Sequence, residues 1–182
     1  MVSKSTVVAT ACFESPLGAL RLSATGLGLS RIEFPGGRPP AGARGATGSA
    51  FLDEAIDELR AFFAGRPRPT QVALDLSCGT PFQRKVWRIL ATTLPAELLT
   101  YGELAARVGS PGAARAIGSA MARNPVPILV PCHRVIAANG RPGGYGHGLP
   151  TKSRLLSYEG CALPGFPPSP RAADLPMQTA AR

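Results

Sequence analysis

The run Asn124-Pro125-Val126-Pro127-Ile128-Leu129-Val130-Pro131-Cys132-His133-Arg134-Val135 joins a proline-broken apolar segment to a soft nucleophile, an acid–base group and a guanidinium on consecutive residues. Its prolines exclude a helix interior. Branched apolar residues without polar alternation predict a short strand over Asn124–Leu129, covered on both faces. Pro131 ends that strand, and its fixed φ suits the first position of a helical turn. Cys132 is thereby expected at a strand-to-helix corner, beside free backbone N–H groups and the positive end of a helix dipole. That setting lowers a thiol pKa. A cysteine among Ile, Leu and Val also fits a structural core thiol, but charged neighbours on both following residues favour a reactive one.

Working outward, the residues before this run predict helices. Gly79-Thr80-Pro81 marks a boundary: Thr80 is a good N-cap, Pro81 suits the first helical position, and Phe82, Val86, Ile89 and Leu90 recur at helical spacing. Trp87 reads as a core residue, with base stacking as the alternative. Thr100 caps a second helix and Glu103 completes a capping box. Gly109-Ser110-Pro111-Gly112 is a tight turn, and Ala113–Arg123 forms a third helix, so the order is helix–turn–helix. One face of that third helix is nearly all Ala, Gly and Ser, with Arg115 near its start. Small residues suit close helix packing, but the helix–turn–helix order and the basic charge of this segment favour a helix shaved to enter a DNA groove, recognising shape more than base edges.

The first 78 residues have a different texture. Thr6–Phe13, Ala19–Ala24 and Leu29–Phe34 read as strands separated by turns at Ser15–Gly18 and Gly26–Gly28. Pro35–Ser49 is Gly/Pro/Ala/Arg-rich and is expected to be a flexible loop. Phe51–Ala64 places Leu52, Ala55, Ile56, Leu59, Phe62 and Phe63 on one face and Asp53, Glu54, Asp57, Glu58 and Arg60 on the other, an amphipathic helix. Val72–Leu76 is a short strand candidate. The expected fold is α+β: a small sheet-plus-helix supporting domain over residues 1–78, then a winged helix–turn–helix-like domain over 79–163, then a disordered Pro/Ala-rich tail over 164–182.

Charge discriminates between partners. The 182 residues carry a formal +9, and residues 79–163 alone hold 10 Lys/Arg against 3 Asp/Glu. Excess positive charge confined to one module is the footprint of a polyanion-binding surface. No basic amphipathic helix with bulky apolar residues accompanies it, so nucleic acid is favoured over membrane. The N-terminus lacks a signal-peptide layout, and a cytoplasmic protein is expected. Cys12, Cys78, Cys132 and Cys161 lie far apart and the histidines are His133 and His147; that spacing argues against a zinc finger or a disulfide framework. A reactive thiol beside a DNA-binding helix implies chemistry on a base flipped out of the stack, with Arg115 placed to fill the gap.

These elements resemble the O6-alkylguanine-DNA alkyltransferase family. The matching residues are Gly79-Thr80-Pro81-Phe82-Gln83, Tyr101-Gly102-Glu103-Leu104-Ala105, Gly112–Gly118, Asn124-Pro125, Val130–Val135, Gly143-Gly144-Tyr145-Gly146, Lys152 and Leu155–Gly160. The resemblance implies that Cys132 accepts an alkyl group from guanine O6 in double-stranded DNA and keeps it as a thioether, each molecule reacting once, as a monomer and without cofactor or metal. It implies that His133 deprotonates Cys132 through a water, that Glu159 polarises His133, and that Asn124 braces the turn. Tyr101, Arg115, Gln83, Arg84 and Ser110 would contact DNA, while Tyr145, Gly146, Val135, Pro127 and Met121 would line the guanine pocket. Ala96 stands where the family carries Gly, which would strain the turn if φ is positive there. Gly146 and His147 stand where Ser or Ala and then Gly are usual, and His147 reads as a solvated loop residue. Two other classes compete: a lesion sensor or transcription regulator that binds without transfer, disfavoured by Cys132 with His133 and Glu159, and a Cys–His hydrolase, in which the basic module would be idle.

Overall fold

The computed structural model describes residues 6–36 and 49–162. The loop expected within Pro35–Ser49 falls almost wholly outside them, as does the expected tail.

Strands β1 (Val7–Ser15), β2 (Gly18–Thr25) and β3 (Gly28–Glu33) form an antiparallel sheet in the order β1-β2-β3. Tight turns after Ser15 and Thr25 set the register. Helix α1 (Ala50–Phe63) lays Leu52, Ala55, Leu59, Phe62 and Phe63 against the sheet, where Leu20, Leu22, Ala24 and Leu29 are fully buried. Each such leucine or phenylalanine stabilises the fold by roughly 1.5–3 kcal/mol relative to exposure. Glu58 departs from the expected polar face: it is buried, and its carboxylate accepts the Gln71 N–H at 2.8 Å. The chain returning from α1 folds over it, which helical periodicity does not encode. Val72–Leu76 is likewise no strand. Leu74 makes a single parallel bridge to Leu29, held by Leu29 N–H to Ala73 O at 2.8 Å and Asp75 N–H to Leu29 O at 2.9 Å.

The helical half begins where Thr80 caps α2 (Pro81–Ala91) in a reciprocal box with Gln83. A Cβ on Gly79 would lie 2.3 Å from the Trp87 ring, so the boundary glycine gives this indole its place. Trp87 is a core residue, and its Nε1–H donates to Ala120 O at 2.9 Å, fixing α2 to the third helix of the half. Strand β4 (Leu99–Thr100) runs into α3 (Tyr101–Arg107), capped by Thr100 and Glu103. A turn leads to α4 (Ala114–Ala122), which buries Ile117 and Ala120 and exposes Arg115, Ala116 and Ser119. Strand β5 (Val135–Ile136) pairs parallel with β4, and α5 (Leu149–Tyr158) closes the described chain. The fold is α+β, and one continuous apolar core runs from the sheet through the helices. Among the described residues no helix is long and apolar enough to cross a membrane.

The strand expected over Asn124–Leu129 does not form. The segment is a buried tight turn in which Val130 N–H meets Val126 O at 2.9 Å and Ile128 takes a φ of 78°. A β-branched residue in the left-handed region is strained by about 1–3 kcal/mol, and that strain lies four residues from Cys132. The turn is tied to the other half of the molecule by Ile32 N–H donating to Pro125 O at 2.9 Å.

Candidate active site

Cys132, His133 and Arg134 form one 3₁₀ turn following Pro131. A single turn has little macrodipole, and Cys132 is buried among apolar groups. Burial pushes its thiol pKa up, against the opposing pull of the Asn124 side chain and the Lys152 charge. The expected depressed pKa is therefore corrected: desolvation outweighs the short turn's dipole, and the resting group is a thiol. Asn124 spans the turn. Its amide nitrogen donates to Val130 O at 2.7 Å and to Cys132 Sγ at 3.1 Å, while its oxygen accepts Val126 N–H at 3.0 Å.

Behind the thiol lies a closed set of charges. Glu159, at the end of α5, takes the Arg134 guanidinium through Nε and Nη2 at 2.9–3.1 Å. Its Oε1 is 2.8 Å from His133 Nε2, and its Oε2 accepts the Ala96 N–H at 2.8 Å. Burial alone would raise this carboxyl, but His133 and Arg134 bring it down to about 2. Arg134 Nη1 is satisfied by Thr93 O and Oγ1 at 2.7 and 2.8 Å. One anion thus faces one permanent cation, and His133 needs no charge. Burial lowers the His133 pKa more than Glu159 raises it, leaving a neutral ring. A carboxylate only accepts, which assigns the proton to Nε2 and a lone pair to Nδ1. Nδ1 is buried with no protein partner.

Ala96 meets Glu159 from a backbone with φ 61°, so this alanine does hold the left-handed position its place in the sequence implied.

The space in front of Cys132 is a cavity of about 160 Å³ lined by Tyr101, Gly118, Met121, Ala122, Cys132, Gly144, Tyr145 and Gly146. Of the five residues expected to line a base pocket, Tyr145, Gly146 and Met121 do so; Pro127 and Val135 are buried and are not among its walls. The Tyr145 hydroxyl is buried without a partner. Gly143, at φ 67°, lets the loop pass Tyr101: a Cβ there would sit 3.1 Å from its ring and hydroxyl. Lys152 is wholly buried, donates to Val135 O and Pro142 O, and burial lowers its pKa to about 8. Beyond the pocket, Arg115 stands exposed in the first turn of α4, and Ser110 lies in the α3–α4 turn. Arg84 is half-buried on α2, and the Gln83 side chain is engaged by the Thr80 N–H at 2.9 Å. Among the described residues no three His, Cys, Asp or Glu side chains are grouped to hold a metal ion.

Sequence reasoning missed the Arg134 clamp on Glu159, the Thr93 acceptors and the buried Lys152 tie. Lys152 stands in the matching motif, but its role depends on two carbonyls that no pattern displays. His147 is exposed on its loop, as expected, and one face of its ring also stacks on Phe34 with centroids 4.0 Å apart.

Fold and site together define a helix–turn–helix protein with a buried thiol at the end of a small pocket walled by two tyrosines. The family described as "6-O-methylguanine DNA methyltransferase, DNA binding domain" matches residues 81–161. The methylated-DNA–protein-cysteine methyltransferase of Mycobacterium leprae is 44% identical over 147 residues, covering 80% of this chain and 88% of the relative. The chain belongs to the methylated-DNA–protein-cysteine methyltransferase family. The Methanosarcina acetivorans member is 42% identical over 152 residues, covering 82% and 97%. The crystal structure of Mycobacterium tuberculosis OGT in complex with DNA superposes with a TM-score of 0.76 at 41% identity, covering 84% of this chain and 92% of that one.

Proposed function

We propose that the protein repairs duplex DNA by moving a methyl or larger alkyl group from guanine O6 to Cys132 Sγ, once per molecule. The observation that carries this reading is the pairing of a buried thiol at the pocket end with a neutral His133 whose Nδ1 lone pair is unused. Adjacent side chains on one turn diverge, so a water between Nδ1 and Sγ serves as the relay. The thiol proton passes through that water to His133, Sγ attacks the alkyl carbon in line, and the C–O6 bond breaks with its electrons on O6. The guanine anion takes the proton that His133 had accepted and remains in the DNA as neutral guanine, still joined to its deoxyribose. A thioether is no leaving group at neutral pH, so the protein is consumed.

Glu159 holds His133 in the tautomer that exposes Nδ1. Asn124 fixes the turn and donates toward Sγ, and Tyr101 sits at the pocket mouth to meet the flipped nucleotide. Arg115 fills the vacated stack, a role favoured by its exposed position on a small-residue helix. Gln83, Arg84 and Ser110 act near the DNA backbone, with the Gln83 side chain also occupied in its cap. Tyr145, Gly146 and Met121 shape the base site. Residues 79–163 serve as the DNA-binding and acceptor module and 1–78 as its support. The protein works as a monomer in the cytoplasm.

Incubation with a duplex carrying O6-methylguanine, followed by peptide mass analysis, tests the reading. One methyl group on the Cys132 peptide is expected; an unmodified peptide beside intact lesion contradicts it. Arg115→Ala should slow repair of duplex DNA far more than reaction with free O6-benzylguanine, and equal losses on both would remove the stack-filling role.

A further inference from the structure

The pocket wall Gly143–Gly148 is anchored at its start, where Lys152 Nζ donates to Pro142 O, and at its end, where Gly148 leads into α5. Between those points the chain is Gly143-Gly144-Tyr145-Gly146-His147-Gly148, with φ of 67° and 85° at the two outer glycines. Such a backbone has little stiffness of its own. A turn bond from Gly148 N–H to Tyr145 O at 3.0 Å folds it, a backbone hydrogen bond from Gly144 ties it to the Tyr101 hydroxyl, and aromatic contacts add to the restraint. His147 lies nearly parallel to Phe34, with centroids 4.0 Å apart and planes at 25°. Its other neighbour is Tyr145, edge-on at 5.6 Å and 66°. Phe34 directly follows β3, whose Ile32 N–H is bonded to Pro125 O beside the cysteine turn. Its position is therefore set by the sheet, independently of the loop it touches. His147 stays exposed on its other side, and partial desolvation on the stacked face lowers its pKa.

We propose that Phe34 and His147 form a clasp that holds the Tyr145–Gly146 wall against the pocket, making the end of the N-terminal sheet a determinant of which alkyl groups reach Cys132. His147 is a positioning residue here: it touches Tyr145, and Tyr145 meets the base. The inference rests on the alkyl-transfer reading. With the clasp closed, the cavity of about 160 Å³ restricts bulky groups more than methyl. With the clasp opened, the glycine-flanked loop swings outward and the restriction eases.

The test compares second-order transfer rates on duplexes carrying O6-methylguanine or O6-benzylguanine for the full chain and its variants. His147→Gly and Phe34→Ala are each expected to raise the benzyl-to-methyl rate ratio several-fold, up to about tenfold, as loss of one aromatic pair allows. The double variant should exceed neither single one, because one contact is removed in all three. His147→Phe, which keeps a stacked ring, should restore the parental ratio, a rescue that general loosening of the fold would not give. Ratios equal to the parent in both single variants, or a raised ratio in His147→Phe, would overturn the clasp while leaving alkyl transfer intact. Absence of transfer by the parent protein on either duplex would instead overturn the reading on which the clasp rests.

Discussion

A buried carboxylate from each half of this molecule, Asp75 in the first and Glu159 in the second, invites comparison, and their networks end differently. Asp75 accepts Thr25 Oγ1–H at 2.7 Å and Ser77 N–H at 3.0 Å, while Thr25 Oγ1 accepts Leu27 N–H at 3.1 Å. That network knits the segment after α1 to the β2–β3 turn. Glu159 is equally engaged, by Arg134, His133 and the Ala96 N–H, yet its network runs out at His133 Nδ1, which has no protein partner. The first arrangement has only shape to maintain. The second delivers an unused lone pair to the neighbourhood of a thiol, and the cost of leaving a buried polar atom open is tolerated where chemistry uses it.

Replacing each carboxylate should separate the two roles. Glu159→Gln leaves the buried Arg134 cation uncompensated, so a loss of about 3–5 kcal/mol is expected. The same change releases the His133 tautomer, and transfer per folded molecule should fall by about 10²–10⁴-fold, the usual contribution of a positioned base. Near-parental melting and transfer in this variant would mean that Arg134 and His133 do not depend on Glu159. Asp75→Ala should destabilise by about 1–3 kcal/mol through unpaired neighbours, with the rate per folded molecule unchanged. A lowered rate there would erase the distinction between the networks.

Acid sharpens the comparison further. The folded-state pKa of His133 lies below its ordinary 6.5, so below that pH the unfolded chain binds a proton the folded site refuses. The carboxyl of Glu159 is held at about 2 against an ordinary 4.5, and its stabilisation, present above 4.5, is lost as pH falls toward about 2. The melting temperature should therefore decline on acidification from about 6.5 and again below 4.5, and Glu159→Gln should lessen the second decline, to which Glu97 and Glu103 also contribute. An unchanged melting temperature between pH 7 and 5 would contradict a buried neutral His133. The smallest effect is expected at Ala96, whose φ of 61° strains a Cβ. Ala96→Gly should stabilise by no more than about 1 kcal/mol, since relief of the left-handed strain is partly offset by glycine's greater unfolded-state entropy. A marked destabilisation would show that the Ala96 methyl, more than its N–H, supports Glu159.

Much of this was legible beforehand, for identifiable reasons. The hairpin turns, the Thr80 and Thr100 caps and the apolar stripe of α1 are local patterns, and each element formed within a few residues of its expected bounds. The turn at Val126–Val130 was misread as a strand because nothing in a run of Val, Ile and Leu announces a left-handed Ile128. Glu58 was placed with its charged neighbours because its partner, Gln71, arrives from beyond the helix. At the site, the motif pointed to Cys132, His133 and Glu159, but the thiol's environment was inferred from a dipole that a three-residue turn scarcely has. Burial, a property of the assembled fold, decided the direction of that pKa. Phe34 carried no signal at all, since its meaning depends on a histidine more than a hundred residues away.

The central claim, that Cys132 is an acceptor consumed in the reaction, is tested most directly by counting. A known amount of protein is mixed with a large excess of duplex bearing O6-methylguanine, and restored guanine is measured at completion alongside protein mass. The account predicts one guanine restored per active molecule, matched by one methyl group on Cys132 and none elsewhere. Continued repair beyond one equivalent, or restored guanine with Cys132 unmodified, would contradict it.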